Sequence, residues 1–142
     1  MEPLTDKNHL PDTGSYDIPC LILKPKWLSL VLSGRKTLEI RGCAAHKKQW
    51  IGLIESGTHF LYGFVFLSGC RQICDPQQFW QLADRHCILP EDIKEQTKMP
   101  YRKTYGWNME NPVSILPVRL PAKPGAVIWE NHVFSMGGLQ RL

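Results

Sequence analysis

The sequence predicts an α+β fold, a small and mostly antiparallel β-barrel flanked by helices. Two observations predict this fold class: the predicted strands outnumber the predicted helices, and the helical segments fall in only two places along the chain. The strand candidates are rich in β-branched and aromatic residues and are bounded by glycines. A chain of 142 residues is long enough for one domain with a buried core and too short for two.

The predicted domain occupies residues 18–135. Residues 1–17 contain Pro, Gly, Asp and Thr without periodicity, which is typical of a flexible leader, and residues 136–142 are expected to fray. The leader is acidic and polar, unlike a secretory signal or an Arg-rich transit peptide, and no apolar run approaches the roughly 20 residues of a membrane helix. We therefore expect a cytoplasmic or nuclear protein without a membrane partner.

The first strand and the first helix are predicted by local patterns. The apolar segment CLILK, residues 20–24, is typical of a buried strand. Pro25 then opens a helix, because proline suits the first helical position. An apolar stripe with helical spacing follows, and Gly34 is the predicted left-handed residue after the helix. The stripe consists of Trp27, Leu28, Val31 and Leu32.

The next segment, SGRKTLEIRG at residues 33–42, has the period of two that is typical of a strand. This alternation directs Leu38 and Ile40 into the core. Glu39 and Arg41 then share the opposite face, close enough to form an ion pair.

The charges of this segment allow two interpretations. Lys36 lies at the turn between helix and strand, and Thr37 lies beside Glu39 and Arg41. A lysine near a carboxylate can act as a base or as an anion clamp. Alternatively, the charges form an exposed ion pair that contributes under about 1 kcal/mol to stability.

The remaining elements are predicted by capping residues and by composition. Asp75 and Pro76 are typical of the N-cap and the first position of a helix over 75–87, and Pro90 starts a second helical piece over 90–98. Segments rich in β-branched and aromatic residues are predicted to be strands. These segments cover residues 50–56, 60–70, 104–109, 113–120 and 125–134.

Positive charge is concentrated in one part of the chain. The formal net charge is +4, and the segment from Ile18 to Lys48 contains seven cations and one anion, Glu39. A local basic field attracts phosphates and other anions. The alternative is a solvated basic surface without a partner.

The cysteines predict neither a disulfide framework nor a metal site. They are five, an odd number, and contain no C-x-x-C pair. Cys43 with His46, and Cys70 with Cys74, come nearest to a zinc site, but neither pair is followed by a second one. We therefore expect no metal and no cofactor, and reduced thiols that pack as small hydrophobic groups.

Aromatic residues allow a further kind of site. Tyr105 and Trp107 share one face of a predicted strand next to Arg102 and Lys103. Aromatic rings beside cations stack on nucleic-acid bases, with a contribution of roughly 1–3 kcal/mol per base. Alternatively, the tryptophans fill the core, as we expect for Trp80 on its helix face.

Motifs of catalysis are scarce. The sequence contains no G-x-S-x-G elbow, no phosphate-binding loop and no G-x-G-x-x-G. The five histidines are scattered, and no His and Cys form an interpretable nucleophile and base. His132 lies near Glu130 on one face of a predicted strand, where we expect a surface pair.

Three motifs together resemble those of the ASCH domain, a PUA-like β-barrel family. The first is KPKWLSLVLSGRKTLEIR, which ends in the pattern G-x-K-x-x-E-x-R. The second, YGWNMENPVSI, is similar to the family's aromatic-Trp-x-x-Glu-Asn-Pro segment, and GAVIWENHV resembles its closing strand. The motifs stand in the family's order, and the resemblance covers about residues 20–134.

The resemblance implies a cleft beside the barrel that binds RNA or another nucleic acid. It implies that Lys36 and Arg41 contact a phosphate or a base edge. Glu39 would accept a hydrogen bond from a base amine or orient Arg41, and Lys24 and Trp27 would shape the cleft at the helix entry. With the aromatic pair included, the predicted nucleic-acid-binding residues are Lys24, Trp27, Lys36, Thr37, Glu39, Arg41, Tyr105 and Trp107.

Two enzymatic branches of this superfamily provide the alternative function. One resembles an amidohydrolase of N4-acetylcytidine with a lysine at the position of Lys36 and a threonine nucleophile three residues later, where this chain has Glu39. The other resembles a metal-dependent ribonuclease with a tyrosine shortly before the motif lysine. This chain has no tyrosine there, although Tyr105 could approach in space. If the chain is an enzyme, Lys36 and Glu39 are the expected catalytic residues.

We therefore expect a monomeric binding module rather than an enzyme, with single-stranded RNA, another single-stranded nucleic acid or a modified nucleotide as its partner. Hydrolysis of a modified nucleoside or of RNA is the alternative. A second alternative is a protein-interaction adaptor in transcription or RNA processing, with the acidic leader as a docking tail.

Overall fold

The computed structural model describes residues 2–93, 98–125 and 128–142. Its strands are β1 Ser15–Leu23, β2 Leu38–Arg41, β3 Gln49–Glu55, β4 Phe60–Ile73, β5 Thr104–Arg119 and β6 Trp129–Ser135. Its helices are α1 Pro25–Leu32, α2 Pro76–Gln81 and α3 Ala83–His86, with short 3₁₀ turns at Pro90–Asp92 and Met136–Gly138. None of the helices within the described ranges is long and apolar enough to span a membrane.

The six strands form one mixed sheet in the order β2-β5-β4-β3-β1-β6. β1 and β3 are parallel, whereas the other neighbours are antiparallel. A parallel pair requires a crossover connection, which α1 and β2 supply here. The predicted α+β class is confirmed. The pairing order of the described strands has two ends, β2 and β6, so the sheet is not closed and the predicted barrel is not confirmed.

Helices cover β2 and the centre of the sheet from two sides. α1 contributes Leu28 to a core cluster that also contains Trp107 of β5. α2 contributes Phe79 to another cluster, in which it packs against Leu38 and Ile40 of β2. The prediction that Leu38 and Ile40 enter the core is confirmed, since they are 0% and 5% exposed.

The prediction for α1 is confirmed in its start, its buried stripe and its end. Pro25 is the first residue, and Leu28 and Val31 are buried. Gly34 follows the C-cap residue Ser33 and has a φ of +81°. Glycine adopts this left-handed conformation without the steric cost that other residues meet, so Gly34 ends α1 and directs the chain toward β2.

β5 corrects the prediction of separate strands over 104–109 and 113–120. It is one continuous strand, Thr104–Arg119. Its pairing with β4 shifts register at three places, and Asn111 has a φ of +56° within it. Such irregularities bend a strand without ending it. The turn-like sequence around Asn111 and Pro112 therefore marks a distortion of one strand rather than a loop between two.

The helix predicted over 75–87 is divided into α2 and α3. Asp75 is the N-cap as predicted, and its side chain accepts a hydrogen bond from the backbone N–H of Gln78 at 2.8 Å. Leu82, with a φ of −97° and a ψ of 12°, separates the two helices. The break was not predicted, because no glycine or proline marks it in the sequence.

Two predicted elements fall partly outside the described residues. Of the helical piece over 90–98, the structure has the 3₁₀ turn at Pro90–Asp92, and residues 94–97 lie outside the description. Of the strand predicted over 125–134, residues 126–127 lie outside it, and β6, Trp129–Ser135, contains residues 129–134.

Both ends of the chain contact the sheet. Trp50 in β3 donates a hydrogen bond from Nε1 to the backbone oxygen of Asp6 at 2.7 Å. At the other end, the backbone N–H of Leu142 donates to the oxygen of Ser114 in β5 at 3.0 Å. The segments outside the predicted domain therefore pack against it through these contacts.

Candidate functional site

A cleft of about 380 Å³ lies beside the start of α1 and one face of β2. Its walls bring together five of the eight predicted nucleic-acid-binding residues. These are Lys24, Trp27, Lys36, Glu39 and Arg41. The sequence separations of these residues are short, and the turn at Gly34 lets the chain return so that Trp27 of α1 lies beside Lys36.

Lys36 is buried in the wall of this cleft, with 1% of its surface exposed. Its Nζ donates a hydrogen bond to the backbone oxygen of His86 and lies 3.6 Å from Oε1 of Glu39. The same atom lies 4.7 Å from the centroid of the Trp27 ring. Burial lowers the pKa of Lys36 because water stabilises the charged amine, and the nearby Glu39 carboxylate partly opposes that effect.

Glu39 and Arg41 form the ion pair that the alternation of β2 predicts. Arg41 donates from Nε to Oε2 of Glu39 at 3.0 Å, and Nη2 of Arg41 lies 2.9 Å from the same oxygen. The exposed-pair interpretation is wrong, because Glu39 is 5% exposed and the Arg41 side chain 17%.

The burial of Glu39 has a tertiary cause. Pairing between β2 and β5 places Glu39 opposite Trp107. Trp107 belongs to the core cluster beneath α1, so the polar face of β2 is turned toward that helix and not toward solvent. Burial of a charge is costly unless partners satisfy it, and Lys36 and Arg41 are those partners here.

Two aromatic rings line the cleft. Trp27 is half-buried and also lies 4.7 Å from Nζ of Lys26, which forms an ion pair with Asp92 at 2.9 Å. Tyr101 is 43% exposed. Tyr101 is not among the predicted site residues, although its place in the basic and aromatic segment KMPYRK indicates such a role.

Tyr105 and Trp107 lie outside the lining of this cleft. Trp107 is 1% exposed and stacks on Trp129 with ring centroids 5.7 Å apart. Its Nε1 donates to the backbone oxygen of Cys43 at 2.9 Å. Tyr105 is half-buried and packs against the same core cluster. The structure therefore places the predicted stacking pair with the core under α1.

Thr37 lines a different cleft of about 460 Å³ on the other side of Lys36. There its Oγ1 accepts a hydrogen bond from Nε of Arg85 at 3.2 Å. Nη2 of Arg85 also donates to Oδ1 of Asn108 at 2.6 Å. Sequence analysis missed Arg85 and Asn108 because they come from α3 and β5, which no local motif connects.

His132 and Glu130 form part of a buried cluster, so the predicted surface pair is wrong. Glu130 is 3% exposed and His132 7%. Oε1 of Glu130 lies 2.9 Å from Nε2 of His132, and both carboxylate oxygens lie 2.8 Å from Nε2 of His59. His59 comes from the connection between β3 and β4, which is why one strand alone could not indicate the cluster.

No set of three or more His, Cys, Asp or Glu residues in the described part of the chain could hold a metal ion. The cysteines are unpaired thiols, and Cys20 is fully buried whereas Cys43 and Cys74 are exposed. The expectation that the thiols pack as small hydrophobic groups therefore holds for Cys20 and is wrong for the two exposed ones.

No family model matches the chain, and no curated protein matches it. Solved structures do match it. An ASCH protein from Zymomonas mobilis superposes with a TM-score of 0.58 and 21% identity over 72% of this chain and 73% of that one. A variant of it with a serine replaced by alanine gives the same values. A variant with a tyrosine replaced by phenylalanine gives 0.59 and 20% identity over 74% and 77%. The chain therefore has the fold of the ASCH domain, as its motifs predict.

Proposed function

We propose that the chain binds single-stranded RNA, or a modified nucleotide, in the cleft formed by α1 and β2. The observation that carries this proposal is the burial of Lys36 and Glu39, at 1% and 5% exposure, in the wall of a cleft. Apolar residues would fill this space without the desolvation cost of two charges. Charged clusters whose protonation equilibria are perturbed inside a cleft are typical of functional sites.

The lining residues suit a nucleic-acid strand in charge and in shape. Lys24, Lys36 and Arg41 line the cleft together with Glu39 and Asp92, which leaves one net positive charge. Lys24 is exposed and available to a phosphate oxygen. Two aromatic residues of the lining, Trp27 and Tyr101, offer a ring surface on which a base can stack.

Glu39 has a positioning role in this proposal. Its two contacts with Arg41 and its approach to Lys36 hold both cations in one orientation. A cation that is oriented before binding loses less side-chain entropy when the ligand arrives. Arg41 is thereby prepared to contact a phosphate or a base edge.

Replacing Trp27 with alanine is expected to weaken binding of a labelled single-stranded RNA roughly 5- to 150-fold, since stacking on one base contributes about 1–3 kcal/mol. Trp27→Phe keeps an aromatic face and should retain most of the affinity. Lys24→Ala should reduce the slope of log affinity against log salt by about 0.7, the loss of one phosphate contact. Fluorescence anisotropy at several salt concentrations measures both effects.

The matched control for charge is Lys48→Ala, which removes an exposed cation outside this cleft. It should leave the affinity within about twofold, because Lys48 does not line the cleft and a strand bound there makes no phosphate contact with it. Wild-type protein that fails to bind RNA would contradict the proposal. Equal affinities of wild type and Trp27→Ala would contradict the role of this cleft.

One observation favours a hydrolase as the second candidate. Burial lowers the pKa of Lys36, and an amine with a lowered pKa is a better general base near neutral pH. However, the described contacts of its Nζ are a backbone oxygen, a carboxylate and an aromatic ring, and none of these is a hydroxyl nucleophile.

We expect no release of acetate from N4-acetylcytidine by the wild-type protein, because Glu39 occupies the place of the nucleophile. A chromatographic assay with excess enzyme measures this. Turnover that disappears in a correctly folded Lys36→Met variant would establish the hydrolase instead of the binding module.

A further inference from the structure

The cleft that contains Thr37, Arg85 and Asn108 adjoins the proposed nucleic-acid cleft, and Lys36 lines both of them. We propose that the Arg85 cleft binds a small phosphate-bearing molecule of the nucleoside monophosphate class, with the guanidinium of Arg85 as the anion-binding group. The residues that carry this inference come from α3, β5 and the position before β2, and the inference is independent of the function proposed for the other cleft.

Arg85 is held in place by neutral acceptors alone. Its Nε donates to Oγ1 of Thr37 at 3.2 Å, and its Nη2 donates to Oδ1 of Asn108 at 2.6 Å and to the backbone oxygen of Thr37 at 3.5 Å. The backbone adds a further link, because the N–H of Thr37 donates to the oxygen of Arg85 at 2.9 Å. The guanidinium is therefore rigid before any ligand arrives.

Glu110, in the same cleft, interacts electrostatically with the positive charge of Arg85 but does not form an ion pair with it. Arg85 is half-buried, and no carboxylate within residues 2–93, 98–125 and 128–142 forms an ion pair with it. Its terminal Nη1 has no acceptor in the same ranges. The two N–H groups of Nη1 therefore remain for the oxygens of a phosphate, and a charge-assisted hydrogen bond of this kind is stronger than a neutral one.

The cleft is larger than an inorganic anion requires. Its volume of about 460 Å³ lies in the range of small-molecule sites. Val31, Val65 and Met109 provide apolar surface, and Ser68 and Glu110 provide polar atoms. The remainder of the ligand therefore needs an organic body with its own hydrogen-bonding groups.

Glu110 limits what the ligand can be. Its carboxylate lines this cleft, and its Oε1 lies 3.5 Å from Nζ of Lys7. A carboxylate repels a second anion but accepts hydrogen bonds from amines and hydroxyls. A molecule with phosphate at one end and hydroxyl or amine donors at the other satisfies Arg85 and Glu110 together, which describes a nucleoside monophosphate.

Isothermal titration calorimetry with cytidine 5′-monophosphate, cytidine and inorganic phosphate tests the inference. We expect the monophosphate to bind the wild-type protein at least tenfold more tightly than either cytidine or inorganic phosphate. Arg85→Gln should weaken the monophosphate at least tenfold and leave cytidine unchanged. Thr37→Val, which removes a positioning contact of Arg85, should give a smaller loss of the same kind.

Three results would overturn the inference. The first is equal affinity of the wild type for cytidine and its monophosphate, which would show that the phosphate does not contribute to binding. The second is equal affinity for inorganic phosphate and the monophosphate, which would show that the nucleoside does not contribute. The third is unchanged monophosphate affinity in a folded Arg85→Gln variant. If Arg85→Gln does not fold, the affinities of the wild type for the three ligands still test whether the protein prefers a nucleoside monophosphate.

Trp27→Ala separates the two clefts. It should weaken RNA binding and leave the affinity for cytidine 5′-monophosphate within twofold. Loss of monophosphate binding in Trp27→Ala, with none in Arg85→Gln, would place the nucleotide in the cleft of α1 and β2 and overturn the site at Arg85.

Discussion

Replacing Glu39 with alanine is expected to lower the free energy of unfolding by about 3–5 kcal/mol, because it removes one partner from a buried ion pair. Lys36 is 1% exposed, and Oε1 of Glu39 is the carboxylate oxygen 3.6 Å from its Nζ. Without that carboxylate, the contacts of the buried amine with the described residues are the backbone oxygen of His86 and the Trp27 ring. Arg41 loses both of its contacts with Glu39 as well.

The loss should depend on pH, with a sign that follows from Lys36. Burial already holds the pKa of Lys36 below the ordinary value of 10.5, and Glu39 opposes this effect. Between the folded and the unfolded pKa, the unfolded chain binds more protons, so stability rises with pH. Removing Glu39 lowers the folded pKa further, and the variant should therefore gain stability over a wider range of alkaline pH than the wild type.

Urea denaturation from neutral to alkaline pH measures both effects of Glu39→Ala. The control is Glu91→Ala, which removes an exposed carboxylate and should change the stability by less than about 0.5 kcal/mol. A loss below about 1 kcal/mol for Glu39→Ala would be the value of an exposed ion pair. In that case the cluster is not held together by buried charge.

Replacing Glu130 with alanine is expected to lower the free energy of unfolding by about 2–4 kcal/mol at neutral pH, since each hydrogen bond to a charged group contributes about 1.5–3 kcal/mol. The carboxylate is 3% exposed and receives contacts from His59 and His132 at 2.8 and 2.9 Å. These contacts join the β3–β4 connection to β6, so their loss also frees a turn from the sheet edge.

The acid side of the stability curve reports on Glu130 directly. Burial raises its pKa, but the hydrogen bonds from His132 and His59 outweigh burial and hold the pKa below the ordinary value of 4.5. A group with a lowered pKa stabilises the fold above 4.5, and this contribution is lost as the pH falls through the folded pKa. Glu130→Gln removes the titration, so its stability should fall less steeply in acid.

Urea denaturation of Glu130→Gln and wild type between neutral pH and about pH 3 provides the comparison. The exposed residue Glu91 again provides the control. Glu91→Gln should leave the loss of stability at acid pH unchanged. An acid limb in Glu130→Gln that runs parallel to that of the wild type would show that other carboxylates account for the acid loss of stability.

Local patterns in the sequence determined much of this protein. Pro25 and Gly34 bracket α1, and the alternation of β2 determined that Leu38 and Ile40 share one face. The same alternation placed Glu39 and Arg41 within contact distance. These features depend on the conformation of a few consecutive residues, and residue type and spacing specify that conformation. The order of the motifs also indicated the ASCH fold before any contact was known.

Only the tertiary structure decided which of these faces meets solvent. Alternation distinguishes the two sides of β2, but elements from elsewhere in the chain cover both of them. Phe79 of α2 packs against Leu38 on one side, and Glu39 is buried on the side that faces the core cluster of α1. Arg85 meets Thr37, and His59 meets Glu130, across separations of 48 and 71 residues. No local period encodes such meetings, because they result from strand pairing and helix packing over the whole chain.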